Sequence, residues 1–133
     1  MPKSKQPQRP SRTRLTRIVK AFSGRRLGVL GDWMLDRYVW GKASRLSPEA
    51  AVPVVDFEKE ELVLGGAGNV AANLVAFGAV VVPFGAAGKD DAADSLRAMV
   101  RKLHTPEKGI VEDSARRTTI KTRIIARHQQ IVR

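Results

Sequence analysis

Residues 65–84 read GGAGNVAANLVAFGAVVVPF, and their order decides the fold class. Glycines open the stretch, residues 68–77 are apolar nearly all round, Gly78 follows, and residues 79–84 are rich in β-branched side chains. An apolar run entered and left through glycine predicts a buried helix. The run after it predicts a strand, with Pro83 confined to its end. Working outward, residues 27–30 (LGVL) read as a short buried strand ending at Gly31-Asp32. Residues 37–40 and 52–57 read as two more strands, divided by the polar, proline-bearing stretch 42–49. On the other side, 85–88 is a loop, and Asp90 or Asp91 can cap a helix carrying Ala93, Leu96, Val100 and Leu103 at helical spacing. Residues 118–126 alternate, placing Ile120, Thr122, Ile124 and Ala126 on one face, with 129–132 as a hairpin partner. Strand, helix, strand, helix, strand predicts an α/β fold with parallel pairing in its core.

A chain of 133 residues suits one domain. Without cysteine it has no disulfide framework, thiolate metal site or cysteine nucleophile, and His104 and His128 do not sit at ligand spacing. No apolar run approaches the roughly 18 residues of a membrane span. The formal charge of +11 divides unevenly. Residues 1–26 carry nine Lys/Arg and no acid, 27–96 carry five bases against ten acids, and 97–133 carry ten bases against three acids. The basic ends therefore bear on partners or solubility rather than on the core. Residues 1–12, with Pro2, Pro7 and Pro10, read as a disordered basic arm. An Arg-rich, acid-free start raises a transit peptide, but Leu15, Ile18, Val19 and Phe22 describe one apolar helical face stopped near Gly24, which favours a short helix docked on the domain. With no continuous apolar signal core, the expected location is cytoplasmic. Arg133 falls inside what reads as a strand, so the chain is expected to be part of a larger fold.

Three constellations could carry chemistry. Gly65-Gly66-Ala67-Gly68-Asn69-Val70-Ala71 brings backbone close to a ligand at a helix N-terminus, where N–H donors are free. Asn69 adds a donor and an acceptor where a polyol would approach. The same residues also suit a helix start that needs small side chains for packing. Asp32 follows the first strand, at the end of the strand where open α/β sheets bind ligands, and could accept bonds from two sugar hydroxyls; it could equally cap a turn into 33–35. Asp36 could do either job and ranks lower. Lys121 and Arg123 lie two apart on a strand and so share a face about 7 Å apart, which suits a phosphate monoester but also a solvated strand face. A Walker-type motif is absent.

Gly31-Asp32-Trp33-Met34-Leu35-Asp36-Arg37-Tyr38, Ser44-Arg45-Leu46-Ser47-Pro48-Glu49-Ala50 and Val52-Pro53-Val54-Val55 resemble the opening of a ribokinase-like (phosphofructokinase-B type) sugar kinase. The Gly65–Ala71 motif resembles that family's first glycine signature. Thr118-Thr119-Ile120-Lys121-Thr122-Arg123 with Gln129-Gln130 is similar to the heptose-7-phosphate kinase branch, the kinase part of ADP-heptose synthase. The resemblance runs from about residue 15 to 133. It implies transfer of the ATP γ-phosphoryl group to the anomeric hydroxyl of D-glycero-D-manno-heptose 7-phosphate, feeding ADP-heptose for the lipopolysaccharide core. By position it implies that Asp32 holds sugar hydroxyls, that Gly65, Gly66 and Asn69 line the sugar site, and that Lys121 and Arg123 contact the 7-phosphate. Strands at about 37–57 would form a β lid that often pairs subunits.

Two departures stand out. Ala51 replaces a common proline, a small change. The family's catalytic aspartate lies in a Gly-Ala-Gly-Asp type motif that this chain lacks; Gly85-Ala86-Ala87-Gly88-Lys89 is misplaced and has no aspartate. The expectation is a sugar-binding portion, 13–133, inactive alone, with the site for ATP and Mg2+ mostly outside the chain. The alternative is a non-catalytic basic module for a polyanion or partner protein; the acidic middle and the lack of interleaved aromatics argue against specific nucleic-acid recognition.

Overall fold

The computed structural model describes residues 10–127 and 129–132. The arm up to residue 9, His128 and Arg133 lie outside them. In chain order the elements are helix α1 (Arg12–Lys20), strands β1 (Arg26–Leu30), β2 (Trp33–Leu46) and β3 (Pro53–Gly66), helix α2 (Ala67–Ala76), β4 (Val80–Ala87), helix α3 (Asp91–Lys102), β5 (Ile110–Glu112), β6 (Ile120–Ala126) and β7 (Gln129–Val132). They build two sheets. One is parallel throughout, in the order β1-β4-β5, and the other runs β3-β2-β6-β7.

The parallel sheet follows from the quoted stretch. α2 is the crossover that returns the chain beside β1, pairing Leu27 with Val81 and Val29 with Pro83. Gly78, at φ +83°, ends the helix in a conformation that costs glycine little, and the Ala79 N–H donates back to the Leu74 carbonyl. Val29, Val81, Ala87 and Ile110 pack with Ala71 of α2 and Leu96 and Val100 of α3 into one core. Asp90, not Asp91, caps α3: one carboxylate oxygen accepts from Ala93 N–H at 2.8 Å, and the other accepts from Thr118 N–H at 2.8 Å.

The second sheet grows out of this core. Trp33, the first residue of β2, is 2% exposed, and its indole N–H donates to the Phe84 carbonyl at 3.1 Å. A Cβ on Gly85 would lie 2.5 Å from the Trp33 ring, so only glycine leaves room for it. From Trp33 the strand runs outward, antiparallel to β3 and parallel to β6.

Several elements differ from the sequence reading, each for a physical reason. β3 continues through the charged residues 56–61 because they are exposed and β2 satisfies the backbone alongside them. The third core strand is β5, three residues long and too short to show a period. Residues 120–126 instead join β2, with Leu35 opposite Ile120 and Trp40 opposite Ile125. In α1, Ser11 caps the helix, but Leu15, Ile18 and Val19 remain 44–48% exposed, and Phe22 alone of that stripe meets an aromatic ring, Phe77, tilted against it at 5.7 Å. α2 buries Ala67, Gly68 and Ala71, whereas Val70 and Phe77 are half exposed.

Burial therefore ranks the apolar residues by energetic weight. Leu96→Ala, at a fully buried site, should lower unfolding free energy by about 2–5 kcal/mol. Val19→Ala, on the open face of α1, should change it by less than about 0.5 kcal/mol. Urea denaturation of both variants checks this ranking.

Candidate functional site

Two groups of polar residues meet at the glycine pair that precedes α2. Asp32 sits just past the end of β1, exposed, on an open cleft of about 490 Å³ bounded also by Leu30, Gly31, Gly66, Ala67 and Val70. Trp33 begins a strand, so there is no turn at 33–35 for Asp32 to cap. Its main-chain carbonyl accepts from Ala67 N–H at 2.9 Å. A Cβ on Gly66 would collide with that same carbonyl, and Gly66 has φ +52°, so the residue at this corner must be glycine. Gly66 occupies the N-cap position and offers no side chain, so beyond Ala67 the first turn of α2 has no side-chain cap. Asn69 lies in the first turn, exposed and outside the residues that bound the cleft; its carbonyl accepts from the Asn73 amide at 2.8 Å.

The second group lies on the lid sheet. Pairing of β2 with β6 sets Asp36 opposite Lys121 and Tyr38 opposite Arg123. Asp36 Oδ1 accepts from Arg123 at 2.9 Å and lies 3.2 Å from Lys121 Nζ. The Arg123 guanidinium also lies over the Tyr38 ring, 5.0 Å from its centre. Lys121 and Arg123 do share a face, and that face is only partly solvated: the side chains of Asp36, Lys121 and Arg123 are 15, 30 and 19% exposed. Thr122, between them, accepts from Arg37 Nε at 3.1 Å. Gly65 completes the cluster, since a Cβ there would stand 3.0 Å from Asp36 Oδ2.

One carboxylate between two cations leaves a local charge of +1. Lysine carries three donors and arginine five, more than one carboxylate oxygen can take up, so donors remain for an anionic ligand. Partial burial pushes the Asp36 carboxyl up, but the hydrogen bonds and charges of Arg123 and Lys121 together outweigh it and hold it below the usual carboxylate range. Asp36, which the sequence reading ranked below Asp32, is the carboxylate that the structure sets between the two cations. Its signal is the alternation of β2, visible once the strand is started at Trp33. No group of three or more acidic or histidine side chains among the described residues is placed to hold a metal ion.

The lowered carboxyl fixes a sign. Asp36 stabilises the fold fully above its ordinary titration range, and that contribution is lost as pH falls through the depressed folded-state value. In urea titrations between about pH 5 and pH 2, Asp36→Asn should flatten this acid-side loss relative to the parent. Parallel curves for the two proteins would remove the ion cluster as a stabilising element.

The chain is similar to known proteins in both sequence and fold. Bifunctional protein HldE of Caulobacter vibrioides is 49% identical over 119 residues, which are 90% of this chain and 25% of that protein. The HldE of Geobacter sulfurreducens is 51% identical over 105 residues, 79% of this chain and 21% of that protein. The chain thus spans about a quarter of the length of these curated relatives. Among solved structures, a nucleoside kinase of Methanocaldococcus jannaschii superposes with a TM-score of 0.62 at 15% identity, over 82% of this chain and 36% of that one. A fructokinase of Xylella fastidiosa with bound ATP gives 0.59 at 20% identity, over 77% and 30%. These two establish the ribokinase-like fold. Residues 25–133 match the family described as pfkB family carbohydrate kinase, and the chain belongs to that family.

Proposed function

We propose that the chain is the sugar-phosphate-binding part of a kinase that transfers the γ-phosphoryl group of ATP to the anomeric hydroxyl of D-glycero-D-manno-heptose 7-phosphate, on the route to ADP-heptose. The observation that carries this reading is the Asp36–Lys121–Arg123 cluster closed by Gly65. A partly buried site of net charge +1 with spare donors suits a phosphate monoester, and it borders the glycine pair that a sugar would approach. In this reading Lys121 and Arg123 take the 7-phosphate, and Asp36 orients both cations. Asp32 and Gly66, which bound the cleft, face the sugar hydroxyls, with Gly65 and Asn69 beside them. The similarity to HldE proteins over the same residues supports the choice of substrate.

ATP is the expected phosphoryl donor, with Mg2+, and we place most of that site outside this chain. Phosphoryl transfer needs a base near the acceptor hydroxyl and charge stabilisation around the migrating group. Residues 1–133 hold no Gly-Ala-Gly-Asp motif to supply them. The lid sheet, with Leu46 and Phe57 each 65% exposed, supports pairing of two subunits through the lid. A second reading, a polyanion-binding module, draws on α1, where Arg12, Arg14, Arg17 and Lys20 are all exposed. Steep loss of binding with salt would favour it over the kinase reading.

Two measurements test the proposal. A coupled ADP-release assay with heptose 7-phosphate should stay at background for the isolated chain; turnover would overturn the placement of the catalytic machinery. In calorimetry, Lys121→Ala should weaken heptose 7-phosphate binding by about 10- to 100-fold, the worth of a charge-assisted hydrogen bond. It should leave the dephosphorylated sugar unchanged. Equal losses for both sugars would remove Lys121 from the phosphate site.

A further inference from the structure

Asp36 uses only one of its two oxygens to hold the basic pair. Arg123 donates to Oδ1 at 2.9 Å, and Lys121 Nζ lies 3.2 Å from the same atom. Arginine frequently grips a carboxylate with two parallel bonds, one to each oxygen. Here the Arg123 guanidinium lies over the Tyr38 ring, 5.0 Å from its centre, and donates to Oδ1 alone. Among the described residues no group donates to Oδ2. No buried side-chain oxygen among them lacks a partner, so Oδ2 opens to solvent rather than into the core.

What Oδ2 opens onto is Gly65. Asp36 lies on β2 between β6, which brings Lys121 and Arg123, and β3, which brings Gly65. A Cβ on Gly65 would stand 3.0 Å from Oδ2, 3.1 Å from Asp36 Cγ and 3.2 Å from Met34 Cγ. Unlike Gly66, Gly65 has no positive φ, so its missing side chain serves space and not backbone conformation. That space is the approach to a carboxylate oxygen. The next residue, Gly66, bounds the cleft with Asp32. A ligand lying across the sheet from β6 to the cleft meets the cations first, Oδ2 next and the cleft last.

We infer that Asp36 reads the substrate directly: Oδ2 accepts from the hydroxyl on the carbon next to the phosphate-bearing carbon, which makes the site specific for phosphate monoesters with a vicinal hydroxyl. The inference rests on the reading of Lys121 and Arg123 as the phosphate contacts. Neighbouring strands are ~4.8 Å apart, so a phosphate held at β6 and a donor at Oδ2 belong to adjacent parts of one ligand. An ionised carboxylate only accepts, so its partner is a donor and not a ring oxygen or a second anion. In a hexopyranose 6-phosphate the carbon beside the phosphate-bearing one carries only the ring oxygen. In a heptopyranose 7-phosphate that carbon carries a free hydroxyl. The shorter sugar is thus rejected through an acceptor left without its donor, a stronger means of discrimination than size alone.

The test is a ratio of affinities, measured by calorimetry on the 133-residue chain, for heptose 7-phosphate and its 6-deoxy analogue. The parent should prefer the hydroxylated sugar by about 10- to 100-fold, the worth of a hydrogen bond to a charged acceptor. Gly65→Ala fills the approach to Oδ2 without changing a charge, and should bring the preference below about threefold. Asp36→Asn, whose single oxygen is drawn to the cations, should also lower it, by at least about fivefold. Damage to the fold would weaken both sugars alike, so the ratio isolates the contact. A parent ratio near one, or a ratio that survives both substitutions, would overturn the inference. A second pair of probes, glycerol 3-phosphate and 3-hydroxypropyl phosphate, differs only in the vicinal hydroxyl and should show the same preference. That preference without heptose 7-phosphate binding would leave the role of Asp36 standing and count against the proposed sugar alone. Equal binding within both pairs, with Lys121→Ala still weakening every phosphate, would keep the phosphate contact and remove the hydroxyl contact. Absence of binding to all four phosphates would overturn both.

Discussion

The buried indole of Trp33 is the contact on which the two sheets depend. The chain leaves β1, passes Gly31 and Asp32, and enters β2 at a side chain held inside the core. The bond from its ring to the Phe84 carbonyl ties the first residue of the lid sheet to the central strand of the parallel one. A buried indole N–H without an acceptor would cost about 1–3 kcal/mol, so the hydrogen bond fixes the ring as well as filling the space. Gly85 is constrained by the same contact, because its missing side chain is the volume the ring occupies. The lid sheet is therefore built from the core outward, and its root cannot shift without opening the core.

Distance from that root explains the two groups at the site. Asp32 lies before Trp33 and so stays at the end of β1, on the α2 side. Asp36 lies three residues beyond Trp33 on β2 and reaches β6. Gly65 and Gly66, on β3, lie opposite Met34 and Trp33, so each glycine borders one aspartate: Gly65 the Asp36 carboxylate, Gly66 the Asp32 main-chain carbonyl. The glycine pair thus has two separate steric duties within this chain. Both hold whether or not a ligand is bound.

Much of this was legible in the sequence, and the failures share one cause. The helix at 68–77, its Gly78 stop and the β-branched run after it are local patterns, and the structure has all three, although β4 runs on through Pro83 to Ala87 rather than ending there. The shared face of Lys121 and Arg123 is also local, since it follows from a period of two. What could not be read was pairing. β3 runs through charged residues because β2 lies beside it, and β6 belongs to the lid because it pairs with Leu35–Gly41 rather than with β4. The ion pairs of Asp36 were hidden for the same reason: its two cations lie 85 or more residues away in the chain. The exposed stripe on α1 has a different origin. Its spacing correctly shows an amphipathic helix, but spacing carries no information about what, if anything, the face packs against.

The core also sets the position of the basic pair, by a second route. Asp90 uses one oxygen to cap α3 and the other to hold Thr118 N–H, while the Thr118 hydroxyl accepts from Gly88 N–H at 2.9 Å. The backbone hydrogen bond from Thr118 is the largest influence that holds the Asp90 carboxyl below its usual range, favouring the charged form that only accepts. Thr118 is three residues before Lys121, too short a span for the lysine to drift from the loop that follows β4. Asp36 approaches the same lysine from β2, which is rooted at Trp33. Two independent tethers from the core, one through Asp90 and one through Trp33, thus converge on Lys121 and Arg123. A cation pair held from both sides would lose little freedom on taking up an anion, and this preorganisation is what the proposed phosphate site has beyond an ordinary basic strand.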